Sequence, residues 1–199
     1  MNLYEICDDG ANLGMEPGDC APDCSAEVES RQITLGAAHD GNLVELAGLG
    51  DLPERVDGLC PLGYKALFAF GGQRTGTLNS FAGDGQVDWP LRPFTYYVRD
   101  DATWIGTTDD AALLGVRDGV WVGLEHPISE GDARPWTGMA PDYRKLDNPI
   151  AVCDGFSTAS ERLGWTGDAT LGKLDDAGNF LQGAQQPCAV EAPVICVEQ

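Results

Sequence analysis

The chain carries seven cysteines, and their placement constrains the fold more than any other feature. Cys7, Cys20 and Cys24 lie near the N-terminus, Cys60 stands alone in the first third, and Cys153, Cys188 and Cys196 lie towards the C-terminus. A structural zinc site needs four Cys or His ligands at short spacing. Here no Cys-x-x-Cys occurs, and His39 and His126 are the only 2 histidines. The cysteines therefore read as a disulfide framework, which implies an oxidising, extracytoplasmic compartment. Met1-Asn2-Leu3-Tyr4-Glu5 has neither the basic start nor the apolar core of a signal peptide. The expectation is a longer natural protein, with the partner of the odd cysteine upstream of Met1.

Charge narrows the partners. Asp+Glu 32 against Lys+Arg 12 leaves a formal net charge of −20. Affinity for nucleic acid comes mostly from clustered Lys and Arg, so nucleic acid is excluded as a partner. Anionic membranes and heparin-like polymers are disfavoured on the same ground. Only Lys65, Lys145 and Lys173 are lysine. This acid-rich, lysine-poor balance suits solubility at high salt, where screening relieves self-repulsion, and a halophilic or marine source is expected. No apolar run approaches the ~18 residues that span a bilayer, so no direct membrane insertion is expected.

The chain divides near Glu29-Ser30. Residues 1–28 are acidic, hold three of the cysteines and have few large apolar side chains, so they need disulfides or a cation to stay ordered. Asp8, Asp9, Asn12, Glu16, Asp19 and Asp23 offer oxygen ligands of the kind calcium prefers, so calcium is a candidate cofactor, against the plainer reading of a solvated acidic linker. Beyond the boundary, Gln32-Ile33-Thr34-Leu35 reads as a strand. Leu43, Leu46, Leu49 and Leu52 suggest a helix over 42–56, weakened by Gly48, Gly50 and Pro53. Residues 64–70 read as a buried strand and 71–92 as a Gly-rich loop. Residues 96–99 and 103–106 flank Asp100-Asp101-Ala102 as a hairpin. Short strands are expected at 120–122 and 135–138, little periodicity over 140–190, and a closing strand at Val194-Ile195-Cys196-Val197. The class is α+β with few helices, short strands and long loops.

Cys60, Cys153, Cys188 and Cys196 allow three pairings. A resemblance selects among them. Gly41-Asn42-Leu43, Tyr64-Lys65-Ala66-Leu67, Asp88-Trp89-Pro90-Leu91, Ile105-Gly106-Thr107-Thr108, Trp136-Thr137-Gly138, Cys153-Asp154-Gly155-Phe156-Ser157 and Cys196-Val197-Glu198-Gln199 occur in that order. Over residues 32–199 the chain resembles a family of bacterial surface and secreted domains of unknown function, common in spirochaete lipoproteins and myxobacterial exported proteins. That family is related to the endostatin-like branch of the C-type-lectin-like fold. The resemblance implies nested bridges, Cys60 to Cys196 and Cys153 to Cys188. Chain-entropy arithmetic gives about 5 and about 4 kcal/mol for the two. The leader, with Cys7-Asp8-Asp9-Gly10 and Cys20-Ala21-Pro22-Asp23-Cys24, resembles part of a myxobacterial-type cysteine-rich repeat, with Cys7 joined to Cys20 or Cys24.

Sugar-binding relatives of the C-type-lectin fold hold calcium on Glu-Pro-Asn or Gln-Pro-Asp followed by Trp-Asn-Asp. Gln186-Pro187-Cys188 is only a partial echo, so calcium-dependent sugar binding is not implied. Trp104, Trp121, Trp136 and Trp165 could stack on a sugar, although tryptophans in short strands are commonly core. No nucleophile-elbow pattern occurs, and Phe70-Gly71-Gly72-Gln73-Arg74-Thr75-Gly76 lacks the phosphate-binding lysine of a P-loop. The expectation is a non-catalytic extracellular or cell-surface recognition or adhesion module, binding a protein or glycan through loops 71–95 and 140–185. The alternatives are a secreted hydrolase using a carboxylate pair and a structural surface-appendage component.

Overall fold

The computed structural model describes residues 30–46, 50–146, 152–171 and 180–199. The leader, with Cys7, Cys20, Cys24 and the acids Asp8, Asp9, Asn12, Glu16, Asp19 and Asp23, lies outside the described residues.

The organising strand is the last. In β9 (Ile195–Glu198), Ile195, Cys196 and Val197 are all fully buried. Alternation sends their side chains to opposite faces, so both faces of this strand must be covered. Its neighbours are β1 (Ser30–Leu35) on one side and β2 (Tyr64–Ala66) on the other, both antiparallel to it. β1 then pairs in parallel with β3 (Tyr96–Val98), which forms a hairpin with β4 (Trp104–Thr107). The resulting five-stranded mixed sheet has the order β2-β9-β1-β3-β4. One core cluster holds Ile33, Leu67, Tyr97, Ile105, Ile195 and Val197, with Met139, Tyr143 and Phe180 from the long connections. A second holds Leu43, Val56, Ala66, Phe68, Trp136 and Phe156, and includes Cys153, Cys188 and Cys196.

The two bridges join Cys60 to Cys196 (Cα–Cα 5.6 Å) and Cys153 to Cys188 (5.7 Å). This is the nested arrangement. The outer bridge holds the segment after the first helix against the central strand. The inner one sits under Gly41 and Gly164, where an added Cβ would approach Cys153 Sγ to 2.5 and 2.6 Å.

Several expected elements take a different form. The helix expected over 42–56 is two pieces: a 3-10 turn at Leu43–Glu45, and α1 at Leu52–Asp57. Gly50, at φ +105, turns the chain between them. Asp51 caps α1 by accepting from the Glu54 N–H at 3.2 Å, and Pro53 sits in the first turn, where its missing N–H costs nothing. The leucine spacing thus reflects two short pieces that bury Leu43 and Leu52, not one helix. The strand expected at 135–138 is absent. Trp136 N–H donates to Pro193 O and Thr137 O accepts from Ala69 N–H, but Gly138 at φ +67 reverses the chain against Ala69 O. The strand expected at 120–122 forms over Val120–Trp121 in a two-stranded pair, and a second pair lies within 140–190, where periodicity is weak. β5 (Val116–Arg117) and β6 (Val120–Trp121) close around Asp118-Gly119, both at positive φ, as a type I′ hairpin turn requires. β7 (Leu163–Thr166) pairs with β8 (Ala184–Pro187). The Cys153–Phe156 turn, labelled α2 here, has all four residues at positive φ. A left-handed stretch of non-glycine residues is costly. It is held by the bridge at Cys153, by Ser157 N–H donating to Cys153 O (3.1 Å), and by burial of Phe156.

The loop after β2 is pinned by a buried guanidinium. Arg74 is 0% exposed. It donates to both carboxylate oxygens of Asp57 at 2.6 and 2.8 Å, to Asp88 at 2.9 Å and to Ala66 O at 3.0 Å. Lys65 adds a second cation on Asp88. Burial opposes the Arg74 charge, but Asp57 and Asp88 outweigh it and hold its pKa above the ordinary value. One cation thereby ties the end of α1, strand β2 and the 71–92 loop together.

Candidate functional site

A groove on the surface of the described residues follows from the strand pairing. β1 pairs with β3 only from Ser30 to Gln32, and with β9 from Ile33 to Leu35. Beyond Val98 the chain leaves the sheet, because Arg99 N–H turns to Thr103 O and Ala102 N–H to Arg99 O. Ala102 takes φ +64 at the end of this three-residue turn. The fork between the diverging strands is a groove of about 290 Å³. Thr34 and Leu35 form one wall, the Arg99-Asp100-Asp101 turn the second, and Ile128-Ser129-Glu130 the third.

Arg99 is the charged centre of the groove, with 11% of its side chain exposed. It donates to Asp101 at 3.2 and 2.8 Å, to Glu130 at 3.0 Å and to Thr103 Oγ1 at 3.0 Å. These bonds, led by that to Asp101, raise its pKa although burial works the other way. The Asp101 carboxyl accepts the Thr103 N–H at 2.9 Å and is held down at about 2, by that bond first and by Arg99 next. Ile128, 4% exposed, supplies the apolar floor. Asp100 lies close enough to β2 to help raise the Tyr64 pKa, behind burial and Glu198. With Asp100, Asp101 and Glu130 against Arg99, the lining carries a formal charge of −2.

The residues singled out in sequence have other employment. Trp136 is fully buried, its indole N–H donating to His39 O at 2.9 Å. Trp121 packs on Phe180, with ring centroids 5.9 Å apart, and Trp104 on Tyr96 at 5.8 Å. Trp165 is half-buried in β7. His39 Nδ1 lies 3.2 Å from Asp40, and His126 Nδ1 lies 2.7 Å from Trp104 O. In the 71–95 loop, Asp84 gathers Leu78 N–H, Asn79 N–H, the Asn79 amide and the Thr77 hydroxyl at 2.7 to 3.1 Å. Its pKa is lowered to about 2, chiefly by the Asn79 N–H. That carboxylate organises its own loop. Among the described residues, no group of three or more His, Cys, Asp or Glu side chains is arranged to hold a metal ion. No helix among them is long and apolar enough to cross a membrane. The calcium expectation for Asp8, Asp9, Asn12, Asp19 and Asp23 lies outside the described residues.

Sequence reading missed the groove. Asp100 and Asp101 are legible as turn formers, but the ion partner Glu130 is remote in sequence. The only signal available was Arg99 beside two acids at a strand end.

An α+β domain of short strands, with two disulfides among the described residues and an acidic groove, is the class of protein that the fold and this site define. The chain belongs to the family described as protein of unknown function (DUF1554), whose profile matches residues 37–172. No curated protein matches the chain.

Proposed function

We propose that the chain is a non-catalytic recognition module, exported to the cell surface or beyond, that binds a protein or glycan partner. The single observation that carries this reading is the groove between β1 and β3, a concave, charged recess on a disulfide-stapled scaffold. Ligand sites favour such recesses with a few convergent polar groups. The groove chemistry favours binding over hydrolysis. An acid catalyst works best with a pKa near the working pH, whereas Asp101 is held at about 2 and is bonded to Arg99. The bridges support an extracytoplasmic location, since such bonds persist in oxidising compartments. The nested pairing, and a last strand seated between β1 and β2, support a C-type-lectin-like, endostatin-like scaffold.

The test is an array of glycans and extracellular proteins probed with the full chain, beside a panel of glycosidic, ester and peptide substrates. Saturable binding without turnover is expected. Turnover abolished by replacing a carboxylate pair would overturn the reading in favour of a hydrolase. Self-assembly into filaments without any binding would overturn it in favour of an appendage component.

A further inference from the structure

The groove has a backbone edge as well as charge. Along β1, Gln32 N–H donates to Glu198 Oε2 and Gly36 N–H to Val194 O, both at 2.8 Å. These even-numbered groups therefore point to the β9 side. Backbone direction alternates with each residue of a strand, so the amide and carbonyl of Leu35 point the opposite way, to the side where β3 would lie. The β3 ladder has already ended, at Gln32 opposite Val98. Leu35 thus offers a donor and an acceptor into the groove that it lines. Such an edge is a ready template for another extended chain.

We propose that the groove binds a short extended peptide bearing arginine or lysine, which adds as a strand beside the C-terminal half of β1. This rests on the recognition reading and names its partner class. Main-chain hydrogen bonds to a sheet edge supply affinity in this mode of recognition, and side-chain pockets supply selectivity. Here the selecting groups are Asp100, Asp101 and Glu130, whose excess over Arg99 favours a cationic side chain. Glu130 can turn to it, since 79% of its side chain is exposed. An acidic peptide would meet like charge both in the groove and from a chain of net charge −20.

The probe is a terminally blocked pentapeptide of alternating arginine and valine, titrated into the full isotope-labelled chain and followed by amide chemical shifts. Saturating shifts centred on Leu35, Arg99 and Glu130 are expected. Methylating alternate backbone nitrogens of the peptide removes strand pairing but keeps the charge, and is expected to weaken binding by about tenfold or more. Glu130→Lys, a surface change, is expected to weaken it similarly, and a glutamate–valine pentapeptide to leave the spectrum unmoved. Equal binding of the methylated peptide would overturn the added strand. Shifts centred elsewhere, or none at millimolar peptide, would overturn the site. Partners found on the arrays that bind Glu130→Lys and the unaltered chain alike would also overturn the groove assignment, while leaving the recognition reading standing.

Discussion

Replacing Arg74 with methionine should be among the most damaging single changes in the body of the protein. The guanidinium is 0% exposed, and its two acidic partners, Asp57 and Asp88, have 18% and 34% of their side chains exposed. Methionine fills much of the volume but removes the cation. Asp57 then keeps the Ala66 N–H at 2.7 Å, and Asp88 keeps Lys65. Removing one partner of a buried ion pair costs about 3–5 kcal/mol. Water reaches both carboxylates in part, so the lower end, about 3 kcal/mol at pH 7, is expected. The pH dependence gives an independent check. In the native protein burial would raise the Asp88 pKa, but Lys65 and Arg74 overcome it and hold it below the ordinary value. Asp88 therefore contributes stability above its unfolded pKa, and loses it as pH falls through the folded one. Arg74→Met removes a cation that depresses that pKa and leaves the burial. The difference between variant and parent should therefore shrink as pH falls below about 4, through the depressed native Asp88 pKa. Urea unfolding followed by tryptophan fluorescence measures both quantities. The double change Arg74→Met with Asp57→Asn should regain part of the loss. A deficit under ~1 kcal/mol at pH 7 would refute the reasoning, since surface pairs alone are worth that little. So would a deficit that grows on acidification.

Opening the inner bridge by Cys153→Ala with Cys188→Ala frees a separation of 35 residues, and should lower stability by up to about 4 kcal/mol on chain-entropy grounds, read as a fall in Tm. Gly164→Ala should destabilise by about 1–3 kcal/mol through overpacking, because its Cβ would sit 2.6 Å from Cys153 Sγ and 3.2 Å from the Trp136 ring; an unchanged urea midpoint would contradict this. The Asp84 carboxyl should stay ionised until pH approaches about 2, read by carbon-13 titration. Its contribution to stability is present above the unfolded value and is lost as pH falls through the folded one. Titration near the ordinary carboxylate value would mean that the four donors at residues 77–79 do not hold it.

What was legible in the sequence followed local physics. The closing strand could be read because Ile195-Cys196-Val197 is buried on both faces, and a continuous apolar run marks such a strand. The β3–β4 hairpin could be read because turn formers separate two aromatic runs. The Asp118-Gly119 hairpin was open to the same argument, since that dipeptide favours its turn. β7 and β8 were not legible. Gly164 is demanded by the disulfide it touches, and Ala184-Gln185-Gln186-Pro187 has little intrinsic strand preference. The groove was not legible either. It exists because β1 changes partners midway, a property of register that no single segment carries.

The open edge at Leu35 is the feature on which the site and its proposed partner both depend. Native-state amide hydrogen exchange on the unliganded chain tests it without any ligand. The account predicts slow exchange at Gly36, which donates to Val194 O, and at Thr34, paired with Cys196. It predicts fast exchange at Leu35 between them, slowed when the arginine–valine pentapeptide is added. A Leu35 amide as protected as its neighbours in the free protein would show that the edge is already occupied, and would contradict the account.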